Sequence, residues 1–508
     1  MKVFIDNVYV SVSEEIKNFV IGPEWASTLI KLPLISISKN TLIIETGHHN
    51  WPQLFIYQSK TEINIFTDSS AICCFLKKQS LKVDKSAAIA ISFLGSTSNG
   101  RWIFSNSYVV PPNSKFKITD NNKPELFQKN HTTYLRKESP QSKHEFVSHY
   151  IKCMEEKISI LKKINKPIYV GVSGGFDSRI CLAFCNKYNL KIIPFYIGLS
   201  HACGFETRDY KSAKQLCKKF NLKLEIVPYV KDNMKTRIEH ELDNNILGGS
   251  EAFRLCEFPE WSKGVLINGA WGFLVHSPNI DVAYNDEILY KKSLFYNWLP
   301  FRKLRVVLNA LIGTNFPRKG LAKNLSDIEK ILRQEVSLVL GQYSELSADE
   351  VVVNYTARMQ AAMTSSGVFE SLENRQLPFS IYAEQIPNTS SSYYTGALVN
   401  RSYAREILND IGDFDDVFEQ GSKGMLDISI AKKIRFLGSY LIRGQGVMNY
   451  KKSYAKYKAE IKSLLKENNA LLSHEELKII LKMSNKGVLD PSVALNILKF
   501  SLIANRFN

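Results

Sequence analysis

What the chain lacks sets the first limits. None of its eight cysteines, at 73, 74, 153, 181, 185, 203, 217 and 256, forms a Cys-x-x-Cys pair. Neither a zinc ribbon nor a dithiol redox centre is therefore signalled. Cys181 and Cys185, one helical turn apart, are expected to be small buried apolar groups. No stretch reaches the roughly 18 apolar residues of a membrane span; the longest apolar runs, Ala87–Leu94 and Val493–Ile503, are short or interrupted. Residues 1–20 carry Asp6, Glu14 and Glu15 and have no apolar core of leader length. A cytoplasmic protein without a membrane span is the expectation. Acidic residues are the scarcer charge, 49 against 66 basic ones, which leaves a formal net charge of +17. Such an excess attracts nucleic acid, anionic membrane or acidic substrates. The lysines are spread along the chain, however, and no nucleic-acid-binding motif accompanies them, so nucleic acid is not an expected partner.

What is present is ordinary globular material: 508 residues, 44% hydrophobic and 23% charged. At roughly 150 residues per domain, two to four domains are expected. Residues 1–135 read as short strands, among them Phe55–Tyr57, Ile63–Phe66 and Ser107–Val110, separated by turn signals such as Pro111-Pro112-Asn113-Ser114. From about residue 140 the pattern changes. A helix over His144–Ile164 is followed by a strand (Ile168–Val172), a helix (Asp177–Tyr188), a strand (Lys191–Tyr196), a helix (Arg208–Phe220), a strand (Lys223–Val227) and a further strand at Val265–Ile267. Apolar strands alternating with helices predict a parallel sheet flanked by helices on both faces, an α/β fold. Beyond about residue 285 the chain reads as mainly helical, with the 3.6-residue period at Lys323–Leu340 and Tyr454–Leu472.

The most informative segment is Ile168-Tyr169-Val170-Gly171-Val172-Ser173-Gly174-Gly175-Phe176-Asp177-Ser178. A buried strand runs into a glycine turn and then a helix. Glycines let backbone approach a polyanion and take up positive φ. Amides at a helix start, with the helix dipole behind them, favour phosphate. Ser173 and Ser178 add hydroxyl donors. Asp177 would repel phosphate directly but suits a Mg²⁺ that bridges phosphate oxygens. Read blandly, the same residues make a tight turn with helix-capping serines.

Ser173 to Ser178 resembles the pyrophosphatase loop of the N-type ATP pyrophosphatases, the superfamily of asparagine synthetase, GMP synthetase and argininosuccinate synthetase. It is not a Walker loop, which requires Gly-Lys-Ser/Thr. More of the chain, from about 55 to 450, is similar to the asparagine-synthetase branch: Phe195-Tyr196-Ile197-Gly198, Arg208 to Leu222, Ala357-Arg358-Met359, and Glu373-Asn374-Arg375-Gln376-Leu377-Pro378-Phe379. The resemblance implies an adenine-nucleotide-alpha-hydrolase-like domain over 140–450, preceded by a degenerate glutaminase-like (Ntn-type) β-rich domain over 1–135 and followed by a helical extension over 451–508. It implies ATP and Mg²⁺ as cofactors. Ser173, Gly174, Gly175, Asp177, Ser178, Ile197 and Gly269 would bind the nucleotide, and Asp177 the metal. It implies Glu373 as general base, Tyr355 as a weaker partner to it, and Lys423 (or Lys451) as the lysine facing the reacting phosphorus. Otherwise Glu373 is a surface or capping glutamate, and Lys423 and Lys451 are solvated surface lysines.

The sequence departs from that family in three ways. Residue 2 is Lys2, not the cysteine that glutamine hydrolysis needs. The expected activity is therefore an ATP-dependent amide-bond-forming ligase. It would adenylate a small-molecule or peptide carboxylate and pass the acyl group to an amine or to free ammonia, without its own glutamine hydrolysis and alongside biosynthetic partner proteins. The family's acidic metal ligand after the next strand is replaced, in Asn268-Gly269-Ala270-Trp271-Gly272-Phe273-Leu274, by Phe273 or Leu274. The segment Glu373 to Phe379 is one residue longer than its counterpart, with Ser380 where the family has aspartate. These departures keep open a catalytically weakened nucleotide-binding partner protein. The shared loop keeps open an RNA-modifying thiolase or lysidine-type enzyme.

Overall fold

The computed structural model describes residues 2–10, 15–47, 51–67, 82–112, 114–119, 125–128, 143–198, 208–228, 232–244, 259–267, 326–342, 376–379, 402–412, 448–485 and 491–507, with a few single residues between them. It is mixed α/β, with three five-stranded sheets and helices around them.

Two sheets make the N-terminal sandwich. One runs in the order β2 (Val8–Val10), β1 (Lys2–Ile5), β7 (Glu62–Phe66), β6 (Phe55–Gln58), β8 (Ser107–Val109). Its β1–β7 pair is parallel and the rest antiparallel. The other runs β10 (Glu125–Gln128), β9 (Ser114–Thr119), β5 (Thr41–Glu45), β4 (Leu34–Ser38), β3 (Lys17–Val20), antiparallel throughout. Alternation decides the facing. Ile35, Ile37, Leu42, Ile44, Phe116 and Ile118 point inward and meet Val3, Ile56, Ile63 and Ile65 from the first sheet, as period-two strands require.

The first sheet is buried on its other side too. There Phe55, Phe66 and Val109 pack against α2 (Lys85–Leu94; α1 is the single turn Glu24–Ser27). Asp84 caps α2 by accepting from the Ala87 amide at 2.9 Å, and Gly95, at φ 81°, ends it in the left-handed conformation that glycine adopts without strain.

The third sheet is parallel, in the order β13 (Glu225–Val227), β12 (Ile193–Ile197), β11 (Ile168–Gly171), β14 (Val265–Ile267), β15 (Leu377–Phe379). Ile168, Val170, Tyr196, Ile267 and Leu377 form one core with α3 (Lys143–Leu161), α4 (Phe176–Lys187), α5 (Arg208–Lys219) and α8 (Ser402–Ile411). On the opposite face Tyr169, Phe195 and Leu266 meet Trp261, whose ring stacks on Tyr169 at 4.4 Å and stands edge-on to Phe195.

Helices were expected on both faces. Among the described residues, those next to the sheet share one core, while α6 (Met234–Asn244), which follows β13, joins a different one. That core gathers α2, α6, α7 (Ser326–Gln342), α9 (Met448–Asn468), α10 (His474–Asn485) and α11 (Pro491–Phe507). The two longest apolar runs of the sequence are thus packing partners: α11 lies against α2, and Asn496 Nδ2 donates to the Ser92 carbonyl at 3.2 Å. No described helix is long and apolar enough to cross a membrane.

A buried polar clamp ties α7 to the chain after α2. The Glu335 carboxylate accepts from the Ser98 amide (3.0 Å) and hydroxyl (2.8 Å) and from Arg101, which also reaches Asp84 at 3.1 Å. Glu335 is 2% exposed, and this ring of donors is what makes its burial tolerable.

Candidate functional site

Strand β11 carries the chain from the core to the carboxyl edge of the parallel sheet. The Val172 amide still bonds the Phe195 carbonyl at 2.8 Å, and the chain then turns at Ser173-Gly174-Gly175 into α4. The strand order, numbered along the chain, is 3-2-1-4-5, so connections from β11 and to β14 leave in opposite directions. That reversal opens a crevice above the two carboxyl ends, the place where open α/β sheets bind ligands. The glycine turn lies there.

Hydroxyls shape the turn. Ser178 Oγ accepts from the Ser173 amide (3.0 Å) and lies 2.8 Å from Ser173 Oγ. It also lies 3.1 Å from the Ser173 carbonyl and 3.2 Å from that of Gly175. Ser173 Oγ in turn accepts from the Gly175 amide at 3.1 Å. A hydroxyl has one proton and two acceptor positions. The consistent assignment has Ser173 donating to Ser178, and Ser178 donating to one of the two carbonyls. The serines hold the backbone in shape from inside, with Ser178 buried, Ser173 half-buried, Gly174 buried and Gly175 exposed.

Gly175 is the N-cap of α4, extended at φ −77°, and brings no side chain to the helix start. Asp177 lies in the first turn, half-buried. Two residues past the end of β14, Gly269 abuts it. A Cβ built on Gly269 would lie 2.8 Å from the Asp177 Cβ and 3.4 Å from the Ser178 amide nitrogen. The two glycine segments expected to share a ligand do meet, across the β11–β14 boundary. Ile197, half-buried, ends β12 one strand away, and Gly198 follows it at φ 118°.

The donor set is hydroxyls, helix-start amides and one carboxylate. It suits a phosphate chain that brings its own divalent cation: Mg²⁺ takes one or two protein carboxylates and completes its octahedron with phosphate oxygens and water. Among the described residues no three His, Cys, Asp or Glu side chains cluster to hold a metal unaided.

Other expected site residues stand apart. Tyr355 belongs to the core that contains α2 and α7, not to the one under the turn. It is 2% exposed, with its hydroxyl 2.9 Å from Ser96 Oγ. Its hydroxyl is engaged inside that core. Glu373, Lys423, Phe273 and Leu274 lie outside the described residues, as does the side chain of Lys451, which is in α9. The chain enters β15 at Gln376, whose amide accepts from the Gly264 amide (2.6 Å) and donates to the Ser262 carbonyl (2.9 Å). That entry is at the amino edge, opposite the glycine turn. Gln376 and Trp261 carried no signal in the sequence beyond their residue type. Arg179 did: it follows the motif directly and is 2% exposed. Cys185, on the inner face of α4, has its thiol pushed up to about 12 by burial, which keeps it protonated and unreactive.

No protein-family model matches the chain, and a search of the curated proteins gives no match.

Proposed function

We propose that the chain is an ATP-dependent amide-bond-forming ligase of the asparagine-synthetase type, working without its own glutamine hydrolysis. One observation carries the proposal. The Ser173–Ser178 turn lies at the chain reversal of a 3-2-1-4-5 parallel sheet, with Gly269, just past the end of the next strand, against Asp177. A capping turn of purely structural purpose would not need a second glycine pressed to its acidic residue.

The amides at the start of α4 would receive the phosphates of ATP, with the helix dipole favouring their charge. Ser173 and Ser178 would hold the turn open, and Ile197 would flank the adenine. Asp177 would hold Mg²⁺, which supplies charge neutralisation for the departing pyrophosphate. A carboxylate oxygen of the substrate attacks the α-phosphorus, breaking its bond to the bridging oxygen and releasing pyrophosphate. The amine nitrogen then attacks the acyl carbon, loses its proton to a base, and AMP leaves. Glu373 is the proposed base, and Lys423 (or Lys451) the proposed lysine beside the phosphorus. The asparagine-synthetase likeness extends to the two-sheet N-terminal sandwich, which we read as an Ntn-type domain retained as a structural partner.

Isotope exchange between pyrophosphate and ATP, run over a panel of carboxylates, tests the reading. Carboxylate-dependent exchange with AMP as product supports it; ADP as product overturns it. One sequence feature favours a second reading. From Gly269 to Leu274 there is no carboxylate, as a nucleotide-binding partner protein without turnover would allow. Tight ATP binding with no exchange for any substrate would select that reading.

A further inference from the structure

The opposite edge of the same sheet has its own character. In a parallel sheet every strand begins at the amino edge, and here the stretches leading into four of the five strands, β11 to β14, are lysine-rich. The turn before β11 has Lys162, Lys163 and Lys166; the one before β12 has Lys187 and Lys191. The turn before β13 adds Lys218, Lys219 and Lys223, and that before β14 adds Lys263. All nine are exposed. The four stretches, 162–167, 187–192, 218–224 and 259–264, hold these lysines and one acid, Glu260, and no arginine. About a third of their residues are basic, against 66 in 508 for the chain, so the edge concentrates the charge.

Five of the nine have a local purpose. Lys162, Lys163, Lys187, Lys218 and Lys219 end or follow α3, α4 and α5, where cations offset the negative helix termini. The other four do not. Tyr169 is opposite Ile193, Phe195 opposite Glu225 and Ile168 opposite Val265. Lys166, Lys191, Lys223 and Lys263 therefore approach their strands within three residues of one level. Adjacent strands are about 4.8 Å apart, so they form a row about 14 Å long. Two half-buried rings accompany the row. Lys166 Nζ lies 5.9 Å from the Trp25 ring centre, and Lys162 and Lys187 lie 5.4 and 5.6 Å from that of Tyr188. Glu155 neutralises Lys187 at 3.5 Å, but the row itself contains no acid.

We propose that this amino edge is a docking face for an anionic membrane surface. The chemistry selects among polyanions. Lysine acts as a compact point charge, suited to the diffuse potential of anionic headgroups, whereas phosphates read one by one in nucleic acid favour the bidentate arginine fork. Lysine beside Trp and Tyr is also the composition of the membrane–water interface. The face is independent of the ATP reading. It lies at the far end of the sheet from the glycine turn, so a docked molecule keeps that turn toward water.

Sedimentation of the full chain with lipid vesicles tests this. Vesicles of phosphatidylcholine alone are compared with vesicles containing phosphatidylglycerol, at low and physiological salt. Expected is binding that requires phosphatidylglycerol, weakens with salt, and falls at least about tenfold in the K166Q/K191Q/K223Q/K263Q variant. A second variant, K462Q/K466Q/K478Q/K482Q, removes the same charge from exposed positions on α9 and α10 and is expected to bind as the parent does. Equal loss in both variants would reduce the effect to net charge and overturn the assignment. So would equal binding to phosphatidylcholine alone, or an RNA duplex that binds through the same four lysines and strips the protein from vesicles. Circular dichroism of both variants confirms that each is folded.

Discussion

Gly269, two residues past the end of β14, lies against Asp177 in the first turn of α4: a methyl group on the glycine would sit 2.8 Å from the aspartate Cβ. Backbone contact this close lets β14 and the start of α4 form one wall of a shared crevice. Gly269→Ala is expected to push the first turn of α4 outward, costing about 1–3 kcal/mol of stability and reducing ATP affinity with it. Gly264→Ala is the comparison. Its added carbon would meet the Pro167 carbonyl oxygen at 2.3 Å, at the amino edge, so it should lower stability without a separate loss of ATP affinity. Thermal melts with and without ATP distinguish the two.

Asp177→Asn preserves shape and removes charge. The melting temperature without nucleotide should hold, while pyrophosphate exchange should fall below detection and the magnesium dependence of ATP binding should flatten. Unchanged exchange would remove the metal role.

Ser178→Ala deletes the acceptor of the Ser173 amide and hydroxyl. Leaving that half-buried amide without its partner should cost about 1 kcal/mol, the low end of the range for buried groups, read as a shift in urea midpoint, and loosen the turn. Ser178→Thr, which keeps the hydroxyl, should restore most of it.

Glu335→Ala would strip Arg101 and Ser98 of their shared acceptor. Loss of one member of a fully buried ion pair costs about 3–5 kcal/mol; Arg101 is partly exposed and keeps Asp84, so the cost should lie below that range, while the loss also unfastens α7 from the sandwich. Urea unfolding should shift to lower concentration, with tyrosine and tryptophan signals separating into two transitions.

Alkaline pH should unfold the protein through its buried thiols. Burial raises Cys185 and Cys217 from 9.0 to about 12. A folded-state pKa above the unfolded one means full stabilisation below pH 9, lost progressively as pH rises toward 12. The urea midpoint should fall across that window and fall less in Cys185→Ala. Neither thiol should react with iodoacetamide at pH 8 until the chain is denatured.

The parallel sheet was legible because its signals are local. Val265–Ile267 was read to the residue, and β11 and α4 to within one, since a buried strand, a glycine turn and a helix start follow one another without a break. Pairings between distant segments were not legible. Tyr355 is a site residue by resemblance alone, and nothing near it in sequence announces its hydroxyl contact with Ser96, far away along the chain. Glu335 falls within the helical period at Lys323–Leu340, and nothing local announces its guanidinium partner, Arg101. The lysine row was hidden for the same reason. Its members are scattered in sequence, and only the parallel topology gathers them at one edge.

The packing of α11 on α2 has a temporal consequence. Residues Ala87 to Leu94 are all buried, partly beneath a helix that begins at Pro491. Translation at about 5–20 residues per second separates the two by roughly 20–80 s. Through that interval a newborn sandwich exposes an oily flank to water, until its own distant cover emerges from the ribosome.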